Sequence, residues 1–105
     1  VAPAQGWSAL GGEWLNNGIM FYVYILQSEK NKRLYKGVTS DLKRRIKEHN
    51  AGSVPFTKTL KPWKLIYYEA FLSKEDANRE EKFLKSGKGR DRIKWLLRSI
   101  FEKSE

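Results

Sequence analysis

The 105-residue chain contains no cysteine and only one histidine. Without cysteine, disulfide bonds and thiolate-bound metals are excluded, and a lone histidine argues against a structural zinc site. No apolar run approaches the roughly 20 residues that a membrane-spanning helix requires. We therefore predict one cytoplasmic domain without a membrane segment, long enough to build a single modest core.

Acidic residues are scarce relative to basic ones. The chain has 12 Asp and Glu against 21 Lys and Arg, which gives a formal net charge of +9 at pH 7. A basic protein favours a polyanion as partner, most simply a nucleic acid, because each neutralised phosphate releases counterions. The alternative is a basic protein that has no such partner.

Residues 1–19 contain no Lys or Arg and differ in composition from the rest of the chain. They lack a basic region followed by an apolar core, so they are not a secretory signal. We interpret them as vector-derived sequence, or as sequence upstream of a natural start at Met20. The alternative is a genuine extension that packs on the domain through Trp7 and Trp14. The domain itself is predicted to span residues 20–105.

Two short strands are predicted at the start of that domain. Residues 21–26 are β-formers on both alternating faces, which indicates a strand covered on both sides. A polar break at Ser28–Lys32 separates them from a second strand, Leu34–Val38. Gly37 inside that strand marks a bulge, a bend or a close approach to the backbone.

A helix is predicted to begin at Thr39–Asp41, whose side chains can cap free N–H groups, and to end at Gly52. Its inner face carries Leu42, Ile46 and His49. Arg45 lies at the edge of that face and Arg44 points to water. A loop from Gly52 to Lys61 follows, whose hydroxyls and amines either contact a phosphate backbone or are simply solvated.

The remaining pattern predicts a third strand at Trp63–Glu69 and two further helices. The first of these helices begins near Ser73 and ends at Gly87, with its inner face at Ala77, Phe83 and Leu84. A flexible basic link, Gly87–Arg90, leads to a last helix at Asp91–Phe101. The predicted fold is α/β (α+β): a three-stranded, mainly antiparallel sheet flanked by helices in the order β-β-α-β-α-α.

Several aromatic residues and acids are ambiguous from the sequence. Tyr22, Tyr67 and Tyr68 are predicted to be core residues, and Trp95 to be an interface residue or a partly exposed cap. Glu80 and Glu81 both fall at the edges of the inner helix face, so periodicity does not choose between them. An i,i+4 ion pair with Lys85 would account for Glu81 without any chemical role.

Four elements of the chain together resemble a known family. Tyr22-Val23-Tyr24, Tyr35-Lys36-Gly37, Arg45 eight residues after Gly37, and His49 one helical turn later are similar to the motifs of GIY-YIG nuclease domains. The resemblance is to small stand-alone members related to the nuclease subunit of the bacterial excinuclease. It covers Met20 to about Leu97.

The resemblance implies a divalent-metal-dependent endonuclease, with Mg²⁺ or Mn²⁺ as cofactor and DNA as substrate, including branched or damaged DNA of the kind met in DNA repair. It implies that Glu81 binds the metal and that Arg45 stabilises the transition state. One of the two motif tyrosines is the base: we favour Tyr35, with Tyr24 as its partner. His49 either hydrogen-bonds a tyrosine or the phosphate, or is only a packed histidine.

We expect further contacts with nucleic acid from residues that flank these positions or carry exposed charge: Lys36, Gly37, Arg44, Lys58 and Lys85. Two positions depart from the family pattern. Tyr22 replaces the first glycine, and Lys36 replaces an aliphatic residue. These departures support an alternative, a non-catalytic nucleic-acid-binding module on the same fold.

Overall fold

A three-stranded antiparallel sheet forms the centre of the protein, for which a computed structural model describes residues 19–103. The strands are β1 (Phe21–Ser28), β2 (Leu34–Thr39) and β3 (Trp63–Phe71). β1 lies between the other two and is antiparallel to both. The predicted sheet is confirmed, while residues 1–18, most of the predicted extension, lie outside the described residues.

The helices follow the predicted order, except that the last helix is divided in two. A short 3₁₀ turn, Lys58–Leu60, precedes β3, and the order of elements is β-β-α-β-α-α-α. Within residues 19–103 the α-helices are α1 (Leu42–Ala51), α2 (Lys74–Leu84), α3 (Gly87–Leu96) and α4 (Arg98–Lys103). In the part of the chain that is described, no helix is both long and apolar enough to cross a membrane.

Both faces of the central strand are buried, as its sequence predicts. Val23 and Ile25 pack against Ala77, Leu84 and other apolar residues of α2 and α3. Tyr24 and Leu26 point to the opposite face, where they pack with Trp63 and residues of α1. Because helices or loops cover both faces of the sheet, β1 lacks the alternation of apolar and polar residues that a half-exposed strand shows.

Helix α1 has the predicted ends. Asp41 caps its first turn by accepting a hydrogen bond from Arg44 N at 3.1 Å. Gly52 ends it with a φ of 82°, and its backbone N–H donates to carbonyls of the last turn. A glycine fits there because this left-handed conformation is costly for residues that carry a Cβ.

The predicted flexible link at Gly87–Arg90 is wrong, because this stretch is the first turn of α3. Helix α2 ends at Leu84, and the hydroxyl of Ser86 caps α3 by accepting from Gly89 N at 3.1 Å. Gly89 is buried, and a Cβ there would overlap the Phe83 carbonyl oxygen and lie 2.6 Å from Leu84 Cα. Glycine therefore permits close packing of the two helices rather than flexibility.

Two predicted core aromatics are exposed. Tyr68 is 52% exposed because it lies on an edge strand, with a neighbouring strand on one side only. It contacts the half-buried Tyr22 edge to face, with ring centroids 6.0 Å apart. Phe83 is also exposed. It lies about 100° around the helix from the buried Leu84, at the rim of the inner face.

Replacing Gly89 by alanine should lower the free energy of unfolding by about 1–3 kcal/mol, because the added methyl group overpacks the α2–α3 junction. Gly87 is the matched control: it lies in the same helix, and a Cβ there meets nothing within 4 Å. Gly87→Ala should leave stability unchanged or raise it slightly. Urea unfolding of both variants measures the difference, and equal midpoints would contradict this account of the junction.

Candidate active site

The phenol of Tyr24 lies directly over the backbone of Gly37. These residues are cross-strand partners in β1 and β2, and Tyr24 is 0% exposed. A Cβ at position 37 would lie 2.5 Å from the Tyr24 hydroxyl oxygen and 2.7 Å from its Cζ. Of the three interpretations of Gly37, the structure therefore shows a close approach, and the group that approaches is the first motif tyrosine.

A chain of buried hydrogen bonds leads from Tyr24 into the loop after α1. The Tyr24 hydroxyl lies 2.9 Å from His49 Nε2, and His49 Nδ1 lies 2.8 Å from Thr57 Oγ1. The Thr57 hydroxyl donates to the Val54 carbonyl at 3.3 Å. Because that hydroxyl proton is already used, we assign the histidine proton to Nδ1, so that Nε2 accepts from the Tyr24 O–H.

The electrostatics of this chain favour neutral groups. Burial raises the pKa of the Tyr24 phenol, although the nearby Arg45 guanidinium acts in the opposite direction. Burial, and then the charge of Arg45, lowers the pKa of His49. At neutral pH, Tyr24 is therefore protonated and His49 uncharged, which agrees with a phenol that donates to an imidazole nitrogen.

Arg45 lies between the buried series of hydrogen bonds and the solvent. Its Nη1 lies 2.9 Å from Glu48 Oε1, and its side chain is 35% exposed. Hydrogen bonds with Glu48, and then with Tyr24, raise the pKa of Arg45. The guanidinium is therefore held at the rim of the cluster, with part of its surface open to a ligand.

Sequence reasoning missed Glu48. Its second carboxylate oxygen lies 3.7 Å from Arg44 Nε, so one acid is shared by two neighbouring arginines. The spacing of Glu48 from these arginines, three and four residues, was the available signal. The pairing orients Arg45 toward Tyr24 and leaves Arg44, 67% exposed, on the outer face of the helix.

Tyr35 completes the cluster from β2. It is half-buried, and its ring centroid lies 4.8 Å from that of His49 and 6.3 Å from that of Tyr24. The tyrosines and the residues of α1 thus meet on one face of the sheet. Of the two phenols, Tyr35 is the one that solvent reaches.

The place of Thr57 in a polar loop suggests a hydroxyl that is available to a phosphate or to solvent. The structure shows that it is available to neither. Thr57 is buried, its hydroxyl contacts His49, and its carbonyl oxygen accepts from Trp63 Nε1 at 2.9 Å. The loop folds back on α1 and β3, so this polar residue satisfies buried partners instead of solvent.

Glu81 lies on the other side of strand β2. Its helix α2 packs on the face opposite to the phenols, and its carboxylate forms an ion pair with Lys85 Nζ at 2.5 Å. Lys36 points to this same side from β2. Its pKa is lowered by burial, and then by the charges of Arg90 and Lys85, while Glu81 acts in the opposite direction.

The structure also separates Glu80 from Glu81. Glu80 Oε2 lies 2.9 Å from Arg92 Nη1. Glu80 is also close to Glu69 on β3: burial, and then the proximity of Glu80, raises the pKa of the Glu69 carboxyl. Glu81 instead lies beside β2. Only Glu81 therefore stands next to the strand that carries Tyr35.

The one carboxylate of Glu81 suits a hard cation such as Mg²⁺ that takes most of its ligands from water and substrate. Within residues 19–103, no group of three or more His, Asp or Glu side chains could enclose a metal ion. The Glu81 side chain is 20% exposed, so solvent reaches part of it. Mg²⁺ is often bound by one or two carboxylates, with water and substrate phosphates as its other ligands. A single Glu81 ligand fits that mode.

The predicted nucleic-acid contacts occupy different positions. Arg44, Lys58 and Lys85 are exposed, whereas Lys36 is half-buried. Gly37 is buried, with the phenol of Tyr24 above it. The exposed basic side chains come from α1, the loop before β3 and the end of α2.

Comparisons with known proteins match the sequence of this chain to one family. Residues 20–94 match the family model of the GIY-YIG catalytic domain. The chain is 40% identical to a UPF0213 protein of Staphylococcus haemolyticus over 76 residues, which are 71% of this chain and 92% of that protein. It is 44% identical to a UPF0213 protein of Streptococcus pyogenes over 70 residues, 66% of this chain and 75% of that protein.

A solved structure is also similar. The solution NMR structure of a UPF0213 protein from Bacillus halodurans aligns with 74% of this chain and 85% of its own, at 36% identity and a TM-score of 0.47.

Acidification should destabilise the protein through His49. The folded-state pKa of His49 lies below its unfolded value, so in the interval between them the unfolded chain binds more protons. The free energy of unfolding should therefore fall as the pH drops through that interval. Above the interval, the stabilising contribution of neutral His49 should be fully present. Urea unfolding at about pH 7.5 and about pH 5.5 should show a larger loss for the wild type than for His49→Gln. Equal losses would mean that His49 is not buried as a neutral group.

Proposed function

The chain belongs to the GIY-YIG family, and from that premise we propose that it is a divalent-metal-dependent endonuclease that hydrolyses DNA phosphodiester bonds. One observation carries the proposal: two phenols, a guanidinium and an imidazole from β1, β2 and α1 meet on one face of the sheet. The net charge of +9 favours a polyanionic substrate.

Arg45 is proposed to bind the non-bridging oxygens of the scissile phosphate. Its hydrogen bond to Glu48 holds the guanidinium near Tyr24 before substrate arrives, and its exposed part remains open to a phosphate. A preorganised cation of this kind stabilises the charge that builds up in the transition state without further rearrangement. Glu48 thus acts as a positioning residue for Arg45.

Tyr35, acting as its phenolate, is the better candidate for the base: it would accept a proton from the attacking water and become the neutral phenol. Tyr24 is fully buried, its pKa is raised, and its proton is already donated to His49. Tyr35 is half-buried and is reached by solvent. The role of Tyr24 is then to hold Arg45, and the role of His49 is to hold Tyr24 through its neutral Nε2.

Glu81 would hold Mg²⁺ or Mn²⁺, which when bound supplies positive charge for the phosphate and the leaving oxygen. Glu81 and Tyr35 lie on opposite faces of the sheet, but strand β2 between them is at the edge. A phosphodiester lying along this edge could contact both sides. Lys36 lies on β2, close to Glu81 on α2, and we infer that it contacts the same phosphate.

A second candidate function is binding of nucleic acid without cleavage. The specific observation in its favour is the position of Glu81, paired with Lys85 across β2 from the phenols. This module would bind nucleic acid with a steep dependence on salt and would tolerate Glu81→Gln. If the protein is an endonuclease, Glu81→Gln should abolish its cleavage of DNA. The cleavage and binding of this one variant therefore distinguish the two functions.

The proposed endonuclease is tested with purified protein, Mg²⁺ or Mn²⁺, and plasmid or branched DNA. Arg45→Ala and Glu81→Gln should each lower the cleavage rate by at least about 100-fold, because each removes a group that stabilises transition-state charge. Tyr35→Phe should cause a comparable loss, since phenylalanine cannot accept a proton.

Two neighbouring residues give matched controls. Arg44 shares Glu48 with Arg45 but is exposed, so Arg44→Ala should change the rate only a few-fold. Glu80 adjoins Glu81 on α2 but pairs with Arg92, so Glu80→Gln should keep the activity. Cleavage that persists unchanged in Arg45→Ala and Glu81→Gln would come from a contaminant and would refute the assignment.

A further inference from the structure

Phe56 is a large apolar side chain that the fold leaves in solvent. It is 84% exposed, the most exposed of the large hydrophobic residues in the described part of the chain. Its neighbours in the loop, Val54 and Thr57, are both buried. Phe56 therefore contributes little to the core, and its ring is available to a ligand.

The loop holds Phe56 in a defined position. Thr57 N donates to the Val54 carbonyl at 3.1 Å, and the Thr57 hydroxyl donates to the same carbonyl at 3.3 Å. The Thr57 carbonyl in turn accepts from Trp63 Nε1. The buried residues on both sides thus anchor the short turn that carries Phe56, and the ring is presented rather than free to collapse onto the surface.

The ring lies beside the proposed base. Its centroid is 6.3 Å from that of Tyr35 in an edge-to-face contact, and the Tyr35 ring itself packs against His49. The surrounding loop, residues 52–61, contains Lys58 and Lys61 and no acidic residue. An exposed aromatic ring next to basic side chains is the combination that binds single-stranded nucleic acid: the ring stacks on a base while the cations contact the backbone.

We propose that Phe56 stacks on an unpaired nucleobase next to the scissile phosphate, and that the substrate is DNA with unpaired nucleotides. The inference rests on the proposed nuclease function and adds its substrate class. Within a duplex, each base is already stacked on its neighbours, so a side-chain ring gains a stacking face only where a strand is unpaired. The basic loop favours this partner over an apolar protein surface.

The test is a binding measurement without divalent cations, so that no cleavage occurs. Fluorescence anisotropy compares a single-stranded oligonucleotide of about 16 nucleotides, the same strand in a full duplex, and the same strand in a fork. Phe56→Ala should weaken binding to the single strand and the fork by between about fivefold and about 150-fold, the range found for loss of one stacked base. Duplex binding should change less than about twofold, because the charges are unchanged.

Matched variants separate stacking from other effects. Phe56→Trp should retain binding, since it keeps an aromatic face. Trp95 is 65% exposed on α3, and Trp95→Ala should not alter binding to any of the three probes. Lys58→Ala should weaken binding to single strand and duplex alike and should lower the slope of affinity against salt.

Three results would overturn the proposal. The first is that Phe56→Ala binds the single strand as tightly as the wild type does. The second is that Phe56→Ala loses affinity equally for the single strand and the duplex. The third is self-association of the wild type that Phe56→Ala abolishes, which would assign the ring to a contact between copies of the chain. Cleavage that persists in Arg45→Ala would be a separate result, which refutes the proposed nuclease. The cleavage assay tests the reaction, whereas the anisotropy measurement tests only what Phe56 binds.

Discussion

The close packing of the Tyr24 phenol on the backbone of Gly37 is the contact on which the rest of the site depends. Without a side chain at position 37, the ring can pack closely on β2, with its hydroxyl hydrogen-bonded to His49 and near Arg45. Because the hydroxyl is buried, it must have partners, and those partners come from α1. This one contact therefore sets the position of the helix against the sheet.

The same requirement extends outward through the hydrogen bonds. His49 satisfies Tyr24 with one nitrogen and needs an acceptor for the other, which Thr57 supplies from the following loop. Thr57 in turn fixes the turn that exposes Phe56. Arg45, at the solvent end, receives its orientation from Glu48 and Tyr24. A buried, neutral, fully bonded interior thus supports a charged and aromatic rim, and groups at that rim are the ones we propose to contact DNA.

Sequence reasoning predicted the strands and the ends of α1, because these depend on local spacing and capping, and the motif residues were identified by their resemblance to the family. It failed at Gly87–Arg90, where glycine indicated flexibility but packing against Phe83 and Leu84 requires it in a helix. It could not distinguish Glu80 from Glu81, whose difference lies in which strand each one adjoins. It also missed Glu48 and mistook Thr57 for a surface hydroxyl, because burial of a polar residue depends on partners distant in the chain.

The sequence by itself determined the α+β class, the family and the order of the motif residues, since strand alternation, helix caps and motif spacing are properties of short segments. Only the tertiary structure decided which motif tyrosine is buried, which tautomer of His49 fits, and that Glu81 lies across β2 from the phenols. Those properties arise when separate segments pack together and exclude water, because burial and hydrogen-bond partners exist only between elements that the fold brings into contact.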